Sequence, residues 1–192
     1  MLFTLQKLTS DLSKVNRNHH VLDSDRPEND TEHSFAVALL CWYLHEKLQL
    51  DLDISTILKY AMVHDFVEVY AGDVQTYANK ALRQQKVIDE AKAAARLNTE
   101  FSSFRGMLQA LNNYEAKADD EALFVWTVDK LQALVLSYLD DWRPHKKLNI
   151  SYDNFLSKYH EQLAECSPHC KGIFEAAYEY CLMTYYDKPV SS

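Results

Sequence analysis

Four side chains carry the strongest chemical information in this sequence: His33, the adjacent pair His64-Asp65, and Asp129. Each falls on what reads as the apolar stripe of a helix. His33 shares its face with Val37, Leu40, Cys41 and Leu44, His64 with Ile57, Tyr60 and Ala61, and Asp129 with Ala122, Val125, Trp126, Ala133 and Leu136. A ligating or ionisable group turned toward a core is costly unless it is paired or coordinates a metal. Taken singly, an inward histidine is more often a hydrogen-bonded core residue, and Lys130 could satisfy Asp129. Taken together, two imidazoles and two carboxylates on three helices point to a metal. Adjacent helical residues diverge by about 100°, so His64 and Asp65 can reach one ion only near the end of their helix. A mixed nitrogen and oxygen shell suits one divalent transition ion such as Mn, Co, Fe, Ni or Zn. Calcium prefers oxygen alone and structural zinc prefers thiolates. Four protein ligands leave positions open for water and substrate, as catalytic ions require.

Helices must position these groups, and the periodicity is helical almost throughout. Expected helices run from about Phe3 to Val15, from a cap at Asp30 or Thr31 to about Leu48, and from a cap at Asp53 through Ile54 to about Val69. After a turn at Ala71-Gly72-Asp73 come a charged helix from about Ala78 to Leu97 and shorter pieces to Asn112. An apolar helix opened by Asp119 or Asp120 ends before Pro144, and two more cover about Tyr152 to Cys166 and Pro168 to Tyr186. The polar stretch Asn16–Asp30 reads as a loop, and no substantial sheet is expected. The fold class is therefore all-α.

The chain has 192 residues, enough for one domain with a sizeable core. Its formal net charge of −8 argues against a nucleic-acid polymer as partner. A small anionic substrate remains compatible, because one metal ion can reverse the local field. No signal peptide and no membrane-spanning apolar run is read, so no membrane is expected. Four cysteines fit a reduced, cytoplasmic setting. Cys166, His169 and Cys170 could suggest zinc, but Ser167-Pro168 reads as a cap and first helical residue, and Cys170 and Cys181 read as small buried groups. Gly72, Gly106 and Gly172 are the only glycines, which rules out a P-loop or a GxGxxG turn. Phosphate would have to be held by metal, side chains or helix termini.

In order and spacing, His33, His64-Asp65 and Asp129 resemble the metal-binding signature of the HD-domain phosphohydrolase superfamily. Glu28-Asn29-Asp30-Thr31-Glu32-His33-Ser34 resembles the EN-x-x-EHS segment of its 5'-deoxynucleotidase branch. His64-Asp65-Phe66-Val67-Glu68 and Gly72-Asp73 resemble that branch's HD-x-x-E and GD segments, and Tyr114-Glu115 and Val128-Asp129-Lys130-Leu131 its later blocks. The resemblance runs from about Arg17 to Tyr138. It implies a single HD-domain helical bundle over 1–192, with the motifs in about 17–138 and C-terminal helices over 152–187 packed on them. It implies a metal-dependent phosphomonoesterase, a 5'-nucleotidase-like hydrolase acting on (deoxy)ribonucleoside 5'-monophosphates with manganese, cobalt or a similar ion. His33, His64, Asp65 and Asp129 would be the ligands and Glu68 and Asp73 the catalytic carboxylates, in roles that could be exchanged. Arg17 would grip the phosphate through its planar guanidinium, with Lys80 a second candidate for that duty.

Two departures bear on specificity. Asn18 stands where the branch commonly has a tryptophan against the sugar, and an amide there could bond a 2'-hydroxyl. Val74-Gln75-Thr76 lacks the proline common after the GD segment. The alternatives are an HD-type phosphodiesterase or nucleotide-signal hydrolase, which would call for more basic residues, and a non-catalytic metal- or nucleotide-binding sensor, which would not need Glu68 and Asp73. The resemblance also implies a homodimer, for which the aromatic stretch Phe174, Tyr178, Tyr180, Tyr185 and Tyr186 offers either core or surface.

Overall fold

The structure, a computed structural model, describes residues 1–73 and 80–186, with only the backbone of Lys80 and Arg83. Among these residues ten helices are joined by short connections, with one two-stranded ribbon. α1 (Leu2–Leu12) leads into β1 (Asn16–His20) and β2 (Pro27–Asn29), which pair antiparallel with Asn16 opposite Asn29 and His20 opposite Pro27. The stretch read as a loop is thus a ribbon. Its strands show no hydrophobic alternation because it is held by polar contacts: His19 Nε2 lies 2.9 Å from Ser137 Oγ. Pro27, lacking an N–H, opens an edge strand where none is needed.

α2 (Asp30–Leu48) is capped by Asn29 rather than by Asp30 or Thr31. The Asn29 side chain accepts from the Thr31 and Glu32 amides while the Glu32 carboxylate accepts from the Asn29 amide, a reciprocal capping box. Asp30, relieved of that duty, turns inward and is fully buried. α3 (Ile54–Val63) begins at the Asp53 cap but stops at His64 instead of continuing to Val69. There the backbone tightens to three-residue bonds, Phe66 N to Val63 O at 3.0 Å and Glu68 N to Asp65 O at 2.9 Å. The short α4 (Glu68–Ala71) follows, ended by Gly72 at φ +76°.

α5 (Lys80–Glu100), α6 (Arg105–Glu115) and α7 (Asp120–Leu139, capped by Asp119) complete the motif-bearing part. α7 ends at Leu139, earlier than Pro144; left-handed Asp141 and Trp142 turn the chain and Pro144 sits in the first turn of α8 (Arg143–Leu148). α9 (Tyr152–Glu165) starts at the Ser151 cap, and α10 (Lys171–Tyr186) begins after a turn holding Ser167 and Pro168.

α7 is the axis of the fold, packing on α2, α3, α6, α8, α10 and β1. This explains its apolar sequence: it is the one described helix long and apolar enough to cross a membrane, a run the composition-level reading passed over, and more than half of it is buried inside the fold. Its first half joins Val37, Ile57, Leu97, Phe101 and Leu111 in one core. Leu134, near its end, joins Trp142, Phe155, Tyr159, Phe174 and Tyr178 in a second, aromatic core. Within the C-terminal aromatic stretch, Phe174 and Tyr178 are therefore core, whereas Tyr180 is 54% exposed.

Candidate metal centre

The centre lies where the N-terminal turn of α2, the C-terminal end of α3 and the middle of α7 meet. His33 from α2, His64 at the end of α3 and Asp129 from α7 offer ligand atoms all within 4.8 Å of one another. His33 Nε2 is 2.9 Å from Asp129 Oδ1 and 3.7 Å from Asp65 Oδ2, and His64 Nε2 is 3.2 Å from that same Asp65 oxygen. The termination of α3 at His64 lets adjacent His64 and Asp65 face one point, as their angular separation on an intact helix would not.

Both imidazoles are fixed through their other nitrogen. His64 Nδ1 is 2.9 Å from the Ala61 carbonyl, to which only an N–H can donate, so Nε2 of the neutral ring carries the lone pair. His33 Nδ1 is 3.0 Å from Gln132 Oε1. The buried Nε2 of His64 and one oxygen each of Asp30, Glu28 and Glu68 lack hydrogen-bond partners among the described residues. Two nitrogen lone pairs, converging carboxylates and orphaned buried acceptors fit a divalent cation.

The electrostatics agree. Burial opposes a charge on His64, yet the Asp65 and Asp129 carboxylates outweigh it and hold the imidazole near a pKa of about 9. Burial would also raise Asp65, but His64 and Arg17 keep it below the usual carboxylate range; Lys130 and His33 do the same for Asp129. His33 is lowered by burial and by Arg17. A field that holds a proton on buried His64 also favours a metal cation between these groups.

Arg17 reaches the centre from β1. Its guanidinium is 2.9 Å from Asp65, 3.3 Å from Asp30 and, through Nε, 3.8 Å from Glu28. Glu68 stands at the start of α4, where Asp30, Asp65 and Glu68 form a second set of oxygens within 4.8 Å. Burial, then Asp65, raises Glu68 to about 9. Asp73 follows Gly72 near enough for its charge to act on Arg17, Asp30 and Glu68. Lys130 Nζ lies 2.5 Å from Asp129 Oδ2, so the pairing read from the sequence is present, and it leaves Oδ1 facing His33. Asn18 lines a neighbouring cavity of about 80 Å³ with His19 and Lys130, walled by the C-terminal helices. The Lys80 side chain and the segment Val74-Gln75-Thr76 lie outside the described residues.

Several residues at the centre were not singled out from the sequence. The sequence offers Asp30 and Glu28 only as a cap and part of a motif, yet burial raises both to about 7, aided at Asp30 by Asp65 and opposed at both by Arg17. Gln132 was legible in principle, as a polar residue one turn beyond Asp129. Lys86, 3.3 Å from both Glu68 and Glu90, is one charge among many on its helix and carries no signal of its own in the sequence. Glu115 feels Asp65 and His64 and is raised to about 7, with desolvation the leading cause.

The HD domain family model matches residues 9–171. A 5'-deoxynucleotidase, HDDC2, of Dictyostelium discoideum is 27% identical over 158 residues, covering 76% of this chain and 81% of that protein. A predicted metal-dependent phosphohydrolase from Magnetospirillum magnetotacticum MS-1 superposes with a TM-score of 0.77 at 24% identity, over 96% of this chain and 97% of the other. A protein from Pyrococcus horikoshii OT3 superposes with a TM-score of 0.67 at 24% identity, over 93% and 98%. At such identities the two superpositions show a shared fold.

Proposed function

The chain belongs to the HD domain family and is a metal-dependent phosphohydrolase, and from that premise we propose that it removes the phosphate from nucleoside 5'-monophosphates. The observation that carries this reading is the convergence of His33 Nε2, His64 Nε2 and the Asp129 carboxylate beside the Arg17 guanidinium. The substrate class draws support from the 27% identical 5'-deoxynucleotidase.

His33, His64, Asp65 and Asp129 would hold one divalent ion, Mn, Co, Fe, Ni or Zn. Bound there, the ion supplies Lewis acidity toward a phosphoryl oxygen and toward water. Arg17 orients the phosphate with two parallel donors, trading part of its contact with Asp65 and Asp30 for phosphate oxygens. Glu68, held protonated near neutrality by burial, donates to the leaving 5'-oxygen. Asp73, placed by the turn at Gly72, holds and deprotonates the attacking water. Asn18, next to Arg17 in the chain, meets the sugar. The reading takes 1–192 as one domain, assembled as a homodimer in the cytoplasm, with a small nucleotide as its ligand.

Phosphate release from ribo- and deoxyribonucleoside 5'-monophosphates, with Mn, Co or no added metal, tests this. The expected result is metal-dependent release that disappears in His64→Ala, with the sugar ratio reporting on Asn18. Stoichiometric metal binding with no release from any monophosphate would overturn the substrate assignment.

A further inference from the structure

The carboxamide of Gln132 is buried between two groups of opposite preference. On one side His33 Nδ1 lies 3.0 Å from Oε1; on the other Nε2 lies 3.4 Å from Glu28 Oε1. Gln132 is 9% exposed and His33 fully buried, so water offers neither a substitute partner. With Arg17 favouring its ionised form, Glu28 accepts from Gln132 Nε2 and so sets which way the amide points, nitrogen toward Glu28 and oxygen toward His33. An amide oxygen only accepts, so His33 must carry its proton on Nδ1. Nε2, hydrogen-bonded to Asp129 Oδ1 at 2.9 Å, is then the nitrogen whose lone pair a cation would take in place of a proton. Glu28 is in turn 3.8 Å from Nε of Arg17, so one buried chain runs from the phosphate-gripping cation to a ligand imidazole.

We infer that Gln132 is a positioning residue that fixes the tautomer and orientation of His33, with Glu28 fixing Gln132. The inference rests on the metal-binding reading above. Gln132 touches neither substrate nor ion in this account. Its effect is on the affinity of the centre, for which loss of an outer-shell partner of a ligand histidine costs about 10–100-fold.

The test measures Mn²⁺ affinity by competition with a fluorescent chelator, alongside thermal melting of the metal-free proteins. Gln132→Met keeps the volume and removes the acceptor; it should lose about 10–100-fold in affinity. The exchanged pair E28Q/Q132E puts an acceptor next to His33 and a donor opposite it at unchanged total charge, and should recover affinity to within a few-fold of the parent. Nitrogen-15 histidine spectra of the zinc-loaded parent should show His33 protonated at Nδ1. Parent-like affinity in Gln132→Met, an exchanged pair no better than that single variant, or a His33 proton absent from Nδ1 would each overturn the inference. Should Gln132→Met not fold, the exchanged pair and the parent spectrum decide. A parent that holds no divalent ion would overturn the metal reading instead.

Discussion

Arg17 is the sharpest place to perturb this fold, because one guanidinium faces three buried carboxyl groups. Its side chain is 13% exposed, and those of Asp65, Asp30 and Glu28 are 12%, 0% and 8% exposed. Arg17→Met keeps much of the stem and deletes the charge. Removing one member of a buried ion pair costs about 3–5 kcal/mol, since the partner charge stays behind. For a chain of this size each kcal/mol lowers Tm by about 2–4 °C, so the metal-free variant should melt roughly 6–20 °C below the parent at neutral pH. Protonation offers partial relief, and this gives the prediction its pH signature. Asp30 and Glu28 already stand near 7 in the folded protein because of burial. Losing Arg17 raises both further, while the unfolded chain keeps ordinary carboxylates. The folded variant then binds more protons than the unfolded chain, so its stability falls as pH rises through 6–8, by about 1.4 kcal/mol per pH unit for each excess proton. The gap to the parent should widen from pH 6 to pH 8 and close toward pH 5. Added Mn²⁺ should narrow it, by supplying positive charge to the same oxygens. Arg17→Lys should fall between, because a point charge cannot span three carboxylates. The assay is urea unfolding of metal-free proteins at pH 6, 7 and 8. A loss under about 1 kcal/mol at pH 8, or a gap that shrinks with pH, would refute the reasoning.

Gly72→Ala isolates the turn that carries Asp73. The glycine sits at φ +76° with nothing among the described residues within 4 Å of an added Cβ, so the cost expected from them is backbone strain, about 1–3 kcal/mol. Phosphate release should drop while Mn²⁺ affinity holds; equal loss of both would place the turn's role elsewhere. Phe174→Ala probes the aromatic core: the ring is fully buried, 4.8 Å between centroids from Tyr178, and its removal should cost about 3–5 kcal/mol in urea unfolding. Because that core meets α7 at Leu134 and includes none of the candidate ligands, metal affinity should persist in the folded variant, and its loss would show that the two cores are coupled.

What the sequence disclosed, and what it withheld, divide along a physical line. A period of 3.6 residues states which way a side chain points, so His33, His64 and Asp129 could be read as inward-facing before any coordinates, and the all-α class followed from the same signal. Periodicity is silent about what a side chain meets. Asn29 and Asp30 are both plausible caps; the capping box with Glu32 decides between them, and only then is Asp30 free to enter the centre. The ribbon Asn16–Asn29 has no alternation to read because its stability comes from Arg17 and His19 reaching across 48 and 118 residues of chain. Gln132 and Glu28 are 104 residues apart and meaningless singly. Lys86 looks like any charge on a solvated helix until α4 places Glu68 beside it. The candidate ligands had to be inward and were therefore visible, whereas the groups that contact them are paired over long range, and the pairing alone makes burial tolerable. An acidic centre built in this way needs cations from every side: Arg17, Lys86 and Lys130 come from three separate elements, and a divalent ion would complete the set where His64 now favours a proton.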